Sequence, residues 1–297
     1  MKEKVEGRIY LNQDQSNIGM KFSLFTDYGA LNSKEVFDAF ASGITNCGHT
    51  YSYNEYDCDV PVIWSVLWHG RMAGNKKVWD YFKAQNKQVL VLEVGGLKRG
   101  TTWKVGIDGI NKEAYFGPDG NDDTRAKELG LTLKPWQENN NGDILICAQH
   151  NKSHQLRSVL QTNLILDTLE HIRNQTDRRI IVRPHPRCPL TGMEHEFPNV
   201  VIQRPVHVKG TYDDFDLNLS NVFMLYSYTS NPGLQAVMEG IPVAVSESSL
   251  AYPVANEWFC NLNDIKRPDR TQWLNDLAYT EWTLDEIRAG IPLNRLT

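Results

Sequence analysis

Residues 222–245 read VFMLYSYTSNPGLQAVMEGIPVAV, and this stretch decides the fold class. An apolar run at 222–226 is followed by a hydroxyl-rich turn, a helical stretch at 232–238 and a second apolar run at 242–245. Short apolar runs separated by a helix are typical of buried parallel strands joined by a crossover. The segment therefore predicts a strand–helix–strand unit of an α/β protein.

The same alternation extends to both sides of this segment. Upstream, residues 60–67, 78–84 and 88–92 predict a second strand–helix–strand unit. The other expected elements are a helix at 33–41 with Ser33 as N-cap, a strand–loop segment at 43–49, strands at 144–148, 179–183 and 200–203, and helices at 154–173, 271–277 and 283–289.

The chain length favours two domains. At 297 residues it exceeds the size of one typical core, and the polar stretch at 137–143 is the best candidate for a linker. We expect Rossmann-like domains at 1–141 and 142–297, the second including the C-terminal helices. Ligands of such sheets bind at the carboxyl ends of the strands, so a cleft between the two domains is the expected site.

Composition narrows the class of protein. The content of 41% hydrophobic and 23% charged residues is globular, and a net charge of −5 argues against a broad nucleic-acid-binding face. The five cysteines show no paired spacing for disulfides or zinc. We find neither an apolar leader nor an 18-residue apolar run, so we expect a cytoplasmic protein without integral membrane association.

A rigid basic loop is the sharpest functional signal. Arg183, His185 and Arg187 alternate with two prolines directly after a predicted strand. Guanidinium groups match phosphate oxygens, and proline stiffens the loop that presents them. We expect a phosphate site here, with a merely basic surface loop as the alternative.

Two further loops follow strands of the same predicted sheet. The turn before the 232–238 helix offers hydroxyl and amide groups to an anion at a helix N-terminus, although simple helix capping would explain one of them. Glu239, at the other end of that helix, is a candidate ribose ligand. The candidate donor ligands of the two loops are Ser227, Thr229, Ser230 and Asn231, together with Gln149 and His150, for which an ordinary surface loop is the alternative.

These motifs carry a resemblance. The Arg-x-His-Pro loop followed by a Ser/Thr-rich turn resembles the "HP" and "Ser/Thr" motifs of the bacterial capsule and lipopolysaccharide transferases of the GT-B type, including Kdo transferases and sialyltransferases. The Gln149-His150 loop is similar to their "QP" loop, with His in place of Pro. Residues 92–99 and 107–111 resemble the segment that carries their catalytic base, with one carboxylate where the family pattern has two.

The resemblance implies a base in the first domain. Glu93 is the first candidate and Asp108 the second; the alternatives are an arginine partner for Glu93 and a turn for Asp108. His69 and Arg71 follow a strand of the same domain and are candidates for acceptor binding. His185 and Arg183 are expected to neutralise charge on the leaving phosphate.

The sequence thus predicts an inverting glycosyltransferase with a nucleotide-sugar donor and a hydroxyl acceptor, either a glycan precursor or a hydroxymethylated DNA base of phage type. We expect no cofactor and no metal, because no Asp-x-Asp pair stands in a suitable place. The alternatives are an inactive nucleotide- or sugar-binding module and a sugar-nucleotide epimerase of the same fold. The donor nucleotide and the oligomeric state are left open.

Overall fold

A computed structural model describes residues 19–156, 159–190, 196–211 and 214–297. Its strands are β1 Lys21–Leu24, β2 Thr50–Tyr53, β3 Val60–Trp64, β4 Leu90–Val94, β5 Thr102–Ile107, β6 Asp143–Cys147, β7 Ile180–Arg183, β8 Val200–Ile202, β9 Val222–Ser227, β10 Val243–Val245, β11 Asn256–Glu257 and β12 Glu281–Thr283. Its helices are α1 Lys34–Asn46, α2 Asn75–Lys83, α3 Thr124–Glu128, α4 Gln161–Arg173, α5 Asn231–Met238, α6 Thr271–Leu277, α7 Leu284–Arg288 and α8 Ile291–Leu296. Short 3-10 helices span Thr26–Tyr28, Gly70–Gly74, His154–Leu156, Tyr252–Val254 and Ala278–Thr280.

The chain divides into two compact units, but not at the expected linker. Of the described residues, the first comprises 19–125 and Asn275–Thr297, and the second comprises those within Ala126–Leu274. The C-terminal residues return to the first unit because β12 pairs with β5 in an antiparallel register. The polar stretch at 137–143 therefore lies inside the second unit, and the C-terminal helices α7 and α8 belong to the first.

The first unit is built on a sheet with the strand order β12-β5-β4-β3-β1-β2. Strands β1 to β4 run parallel, whereas β5 and β12 are antiparallel to their neighbours. Both faces are covered: Val62, Trp64 and Leu92 pack in one cluster, and Ile63 and Val91 pack in another. Burial on both faces is why the strands read as continuous apolar runs.

The second unit holds a sheet with the order β11-β10-β9-β6-β7-β8, in which every pairing among the described residues is parallel. Ile144, Ile146 and Val182 pack with Ile165 and Leu169 of α4. The stretch that decided the fold class forms β9, α5 and β10, as expected.

Two expected elements differ from the structure. Residues 43–46 belong to α1 rather than to a strand. The helix ends in a Schellman motif, in which the amides of Gly48 and His49 donate to the carbonyls of Thr45 and Ile44, and Gly48 has φ +79°. The helix expected at 154–173 begins only at Gln161, after a 3-10 turn; residues 157 and 158 lie outside the described chain.

Arg125 secures the returning C-terminal segment. Its guanidinium donates to the carbonyls of Ala278 (2.7 Å) and Glu281 (2.6 Å) and forms a two-pronged pair with Glu286 (2.5 and 2.9 Å). It also lies 3.9 Å from the ring centre of Trp282. A planar, five-donor group satisfies this set of acceptors, which an ammonium could not.

We predict that Arg125→Ala lowers the free energy of unfolding by about 3 kcal/mol or more, because it removes a buried guanidinium that satisfies two carbonyls and pairs with the half-buried Glu286 carboxylate. Urea unfolding monitored by circular dichroism measures the loss. Arg288→Ala is the matched control: Arg288 forms an exposed pair with Asp285, so its removal should cost less than about 1 kcal/mol. Equal losses in the two variants would contradict the assignment.

Candidate functional site

Gln149 connects the loop after β6 to the turn after β9 through hydrogen bonds. Its side-chain oxygen accepts from the amide (3.2 Å) and the hydroxyl (2.8 Å) of Thr229, and its side-chain nitrogen donates to Ser153 Oγ (2.8 Å). Its own backbone amide donates to Gln161 Oε1 (2.6 Å). The loop after β6 and the turn after β9 are thereby fixed to each other, so Gln149 positions the site rather than offering an unengaged amide.

His150 and His185 meet at the carboxyl ends of β6 and β7. Their ring centres lie 5.1 Å apart and the rings are nearly perpendicular. In both residues Nδ1 accepts a backbone N–H from two residues further on, Lys152 N (3.0 Å) and Arg187 N (3.1 Å). In a neutral imidazole this pattern assigns the ring proton to Nε2. Both histidines are thus oriented as N–H donors at this edge of the sheet.

The ring of His185 is neutral near pH 7. Burial lowers the pKa of His185 to about 4, and the charges of His150, Arg187 and Arg183 act in the same direction. This changes the expected role of His185 as a cation: it supplies a hydrogen bond, and fixed positive charge comes from the neighbouring arginines. A bound phosphate would favour protonation of the ring.

The two arginines of the loop have different surroundings. Arg183 is the last residue of β7; its side chain is half-buried, and one Nη donates to the carbonyl of Asp216 (2.7 Å). Arg187 is exposed. Arg183 is therefore partly engaged within the protein, and Arg187 is the more accessible of the two guanidinium groups.

The hydroxyls of the turn after β9 are largely used inside the protein. Ser227 is fully buried and bonds to the carbonyl (3.1 Å) and hydroxyl (2.8 Å) of Ser230, and the proton of Thr229 goes to Gln149. A phosphate needs donors, so these two hydroxyls could serve it only by giving up those bonds. Ser230 makes no capping bond to α5, but its hydroxyl is the partner of Ser227, so it too would have to give up a bond to serve a phosphate. The amide of Asn231, the first residue of α5, stays a candidate.

Glu239 lies at the far end of α5. The eight-residue helix places it about 12 Å along the axis from Ser230. Its carboxylate pairs with Lys134. The pair explains an acidic residue at a helix C-terminus, and the ribose role stays a prediction that this geometry does not favour.

Glu93 lies on β4 at the carboxyl edge of the first sheet. Burial raises the pKa of its carboxyl, while hydrogen bonds from Ser65 and from the amide of Val94 (2.8 Å) and the charge of Lys104 act against this. A carboxylate with a raised pKa, next to solvent on one side, suits general-base work. Its main cationic neighbour is Lys104, not the arginines considered from the sequence.

Asp108 does not join Glu93. Because β5 is antiparallel to β4, Asp108 lies beside Val89, about 13 Å along the strand from Glu93. It has φ +59°, accepts from the amide of Val89 (2.8 Å) and pairs with Lys83 (2.9 Å). These are the features of a turn residue, so Asp108 is withdrawn as a candidate base.

His69 and Arg71 lie where the sequence placed them, just past the end of β3, and both are exposed. Since β3 and β4 are parallel neighbours, this loop shares an edge with Glu93. Contact with an acceptor is compatible with this position and stays a prediction.

Sequence reasoning missed three residues around Glu93, namely Ser65, Lys104 and Glu281. Ser65 has φ +66°, a strained value for a residue other than glycine, and Lys104 and Glu281 are almost completely buried. The sequence did offer a signal for Lys104, because a lysine within the apolar run 102–107 is expected to be buried and to need a partner. Glu281 carried none, because its pairing partner lies far away in the chain.

The described residues contain no group of three or more His, Cys, Asp or Glu side chains arranged to hold a metal ion. Over the same ranges, none of the helices has the length and apolarity needed to cross a membrane.

We predict a pH signature for His185. Its pKa is lowered on folding, so the unfolded chain takes up a proton first, and the stability that the neutral ring permits is lost as pH falls from about 6.5 towards 4. The difference in free energy of unfolding between the wild type and His185→Gln should therefore shrink by an amount on the order of 2 kcal/mol across that window. Urea titrations at several pH values measure it, and a difference independent of pH would refute the assignment.

Comparison with known proteins places the fold. No protein-family model matches the chain, and neither does any curated protein. Thermosulfurimonas dismutans KpsC, beta Kdo 2,7 transferase, aligns with a TM-score of 0.52 and 13% identity over 92% of this chain and 99% of that chain. The beta Kdo 2,4 transferase of the same organism's KpsC gives 0.51 and 14% over 89% and 91%. At such identities the likeness concerns the fold alone; it confirms the α/β fold of the GT-B type and the structural resemblance to Kdo transferases.

Proposed function

We propose that the protein is a glycosyltransferase that binds a nucleotide-sugar donor at the carboxyl edge of the second unit and activates the acceptor hydroxyl with Glu93 of the first. The observation that supports this best is the histidine pair. Two side chains from neighbouring strands are each held by a backbone amide in the orientation that presents an N–H. Such preorganised donors suit an anionic ligand.

The donor phosphate is assigned to the groups around this pair. Nε2 of His150 and His185, the guanidinium of Arg187 and the Ser230 end of α5 all follow strands that end at the same edge. Neutral N–H donors hold a phosphate without the desolvation cost of a buried cation, and the exposed guanidinium adds charge at the rim. Gln149 keeps the two loops in register while the ligand exchanges.

The reaction is a single displacement. The acceptor oxygen forms a bond to the anomeric carbon as its proton passes to the Glu93 carboxylate. The bond from the anomeric carbon to the phosphate oxygen breaks, and the leaving phosphate keeps the electron pair. One displacement inverts the anomeric centre. His150 and His185 then stabilise the negative charge that grows on the departing oxygen.

The acceptor is assigned only by class, as a hydroxyl that His69 and Arg71 help to orient. The solved structures that share the fold are named Kdo transferases, so Kdo and glycan acceptors head the list of compounds to test. A hydroxymethylated DNA base belongs in the same panel. The nucleotide sugar is a substrate, and the proposal includes no separate cofactor.

We predict turnover of at least one nucleotide sugar in a panel of CMP-linked and nucleoside-diphosphate-linked sugars, assayed with and without acceptors and with and without EDTA. In His150→Ala and His185→Ala, donor affinity measured by calorimetry should fall about tenfold or more, because each loses a hydrogen bond to a charged group. His171→Ala is the matched control, because His171 forms a hydrogen bond with the carbonyl of Cys260. Binding without turnover would favour an inactive module, and conversion of the donor alone would favour an epimerase.

We predict that Glu93→Gln lowers kcat by about 10² or more while donor affinity stays nearly constant, because the change removes basicity and keeps the shape of the side chain. Asp108→Asn, on the other edge of the same pair of strands, is the matched control and should cost much less. Steady-state kinetics with a saturating donor measure both. The reverse ranking would remove Glu93 from the mechanism.

A further inference from the structure

A row of charged side chains crosses three strands beside the proposed base. Lys104 of β5 stands directly opposite Glu93 of β4 on one side and opposite Glu281 of β12 on the other. Residues directly opposite one another in antiparallel strands lie on the same face, with Cβ atoms about 5 Å apart. The three side chains therefore form one acidic–basic–acidic row on one face of the sheet.

Glu281 anchors the loop that follows Glu93. Its carboxylate is fully buried and accepts from Gly96 N (2.7 Å), Leu97 N (3.0 Å) and Thr102 Oγ1 (2.7 Å). A Cβ at Gly95 would overlap both the Thr102 carbonyl and this carboxylate, so glycine is required for the close approach. These three donors fix the position of the Glu281 carboxylate in the interior.

Lys104 is 3% exposed, so its ammonium group lies within the protein. Burial lowers the pKa of Lys104, and the carboxylates of Glu281, Glu93 and Glu113 act to raise it. Arg99 is the other cation whose charge acts on Glu93. A buried charge is stable only when opposite charges offset it, and here carboxylates lie opposite Lys104 on both neighbouring strands.

We propose that Lys104 is a positioning residue that keeps Glu93 ionised and fixed in place, with Glu281 securing both Lys104 and the loop after the base. The proposal rests on the proposed role of Glu93 in the reaction. Glu93 is close to apolar surroundings that favour its neutral form, and a neutral carboxyl cannot accept the acceptor proton. The ammonium on the next strand offsets that preference, so the C-terminal strand β12 contributes indirectly to the site of the first unit.

The test is a direct titration of Glu93 by carbon NMR in protein labelled at glutamate side chains, with Glu93→Gln used to assign the signal. Lys104→Met should raise the pKa of Glu93 by about one unit or more, because an opposite charge at this distance typically lowers a carboxyl pKa by 1–3 units. Lys83→Met, in which the altered lysine pairs with Asp108 at the other edge, is the control and should leave the pKa unchanged.

A reciprocal measurement covers the case in which Lys104→Met does not fold. Because the coupling between the two charges is mutual, Glu93→Gln should lower the pKa of Lys104 by a comparable amount. If neither pKa moves, Lys104 is a structural residue only and the proposal is overturned. Both titrations read ionisation without turnover, so they are independent of the proposed activity. In active protein, the pH at which kcat/KM falls on the acid side should move upwards in Lys104→Met, together with the pKa of Glu93.

Discussion

Parallel pairing brings the carboxyl ends of successive strands to one edge of a sheet, and the polar groups at that edge must find partners. In the second unit, one side chain forms several of the hydrogen bonds at this edge. Gln149 joins the loop after β6 to the turn after β9 through both atoms of its amide. Strands β6 and β9 are neighbours in the sheet, and Gln149 extends their connection to the loops that carry His150 and the start of α5.

The polar groups at the carboxyl edges of the two sheets differ in their charge. In the second unit the buried donor His185 is uncharged near neutrality, and the fixed positive charge is carried by the more exposed Arg187 at the rim. The first unit buries full charges, with Lys104 between two glutamates. Neutral donors can bind and release an anion at modest cost, whereas a base has to be ionised before it can act. The difference matches the proposed division of labour.

How far the sequence could predict the structure depends on the range of each interaction. The strand–helix–strand unit at 222–245 and the loop at 183–187 were predictable because burial pattern and proline act locally. The return of β12 to the first sheet was not, since Glu281 pairs with Lys104 across a separation that leaves no local signal. The same cause misplaced Asp108: once β5 runs antiparallel, the residue after it lies at the wrong edge for a base.

Ser65, directly after β3, and Asp108, directly after β5, both have positive φ, and a turn explains only the conformation of Asp108. Asp108 tolerates this conformation because its short polar side chain bonds to the nearby amide of Val89. Ser65 follows β3 directly, and its strained backbone, which costs about 1–3 kcal/mol, brings its hydroxyl to Glu93. That strain and the buried Lys104 fall on the same few residues, around one carboxylate. The residues around the Glu93 carboxylate therefore lower the stability of the fold locally. This is the pattern expected where the orientation and ionisation of a group matter more than its packing.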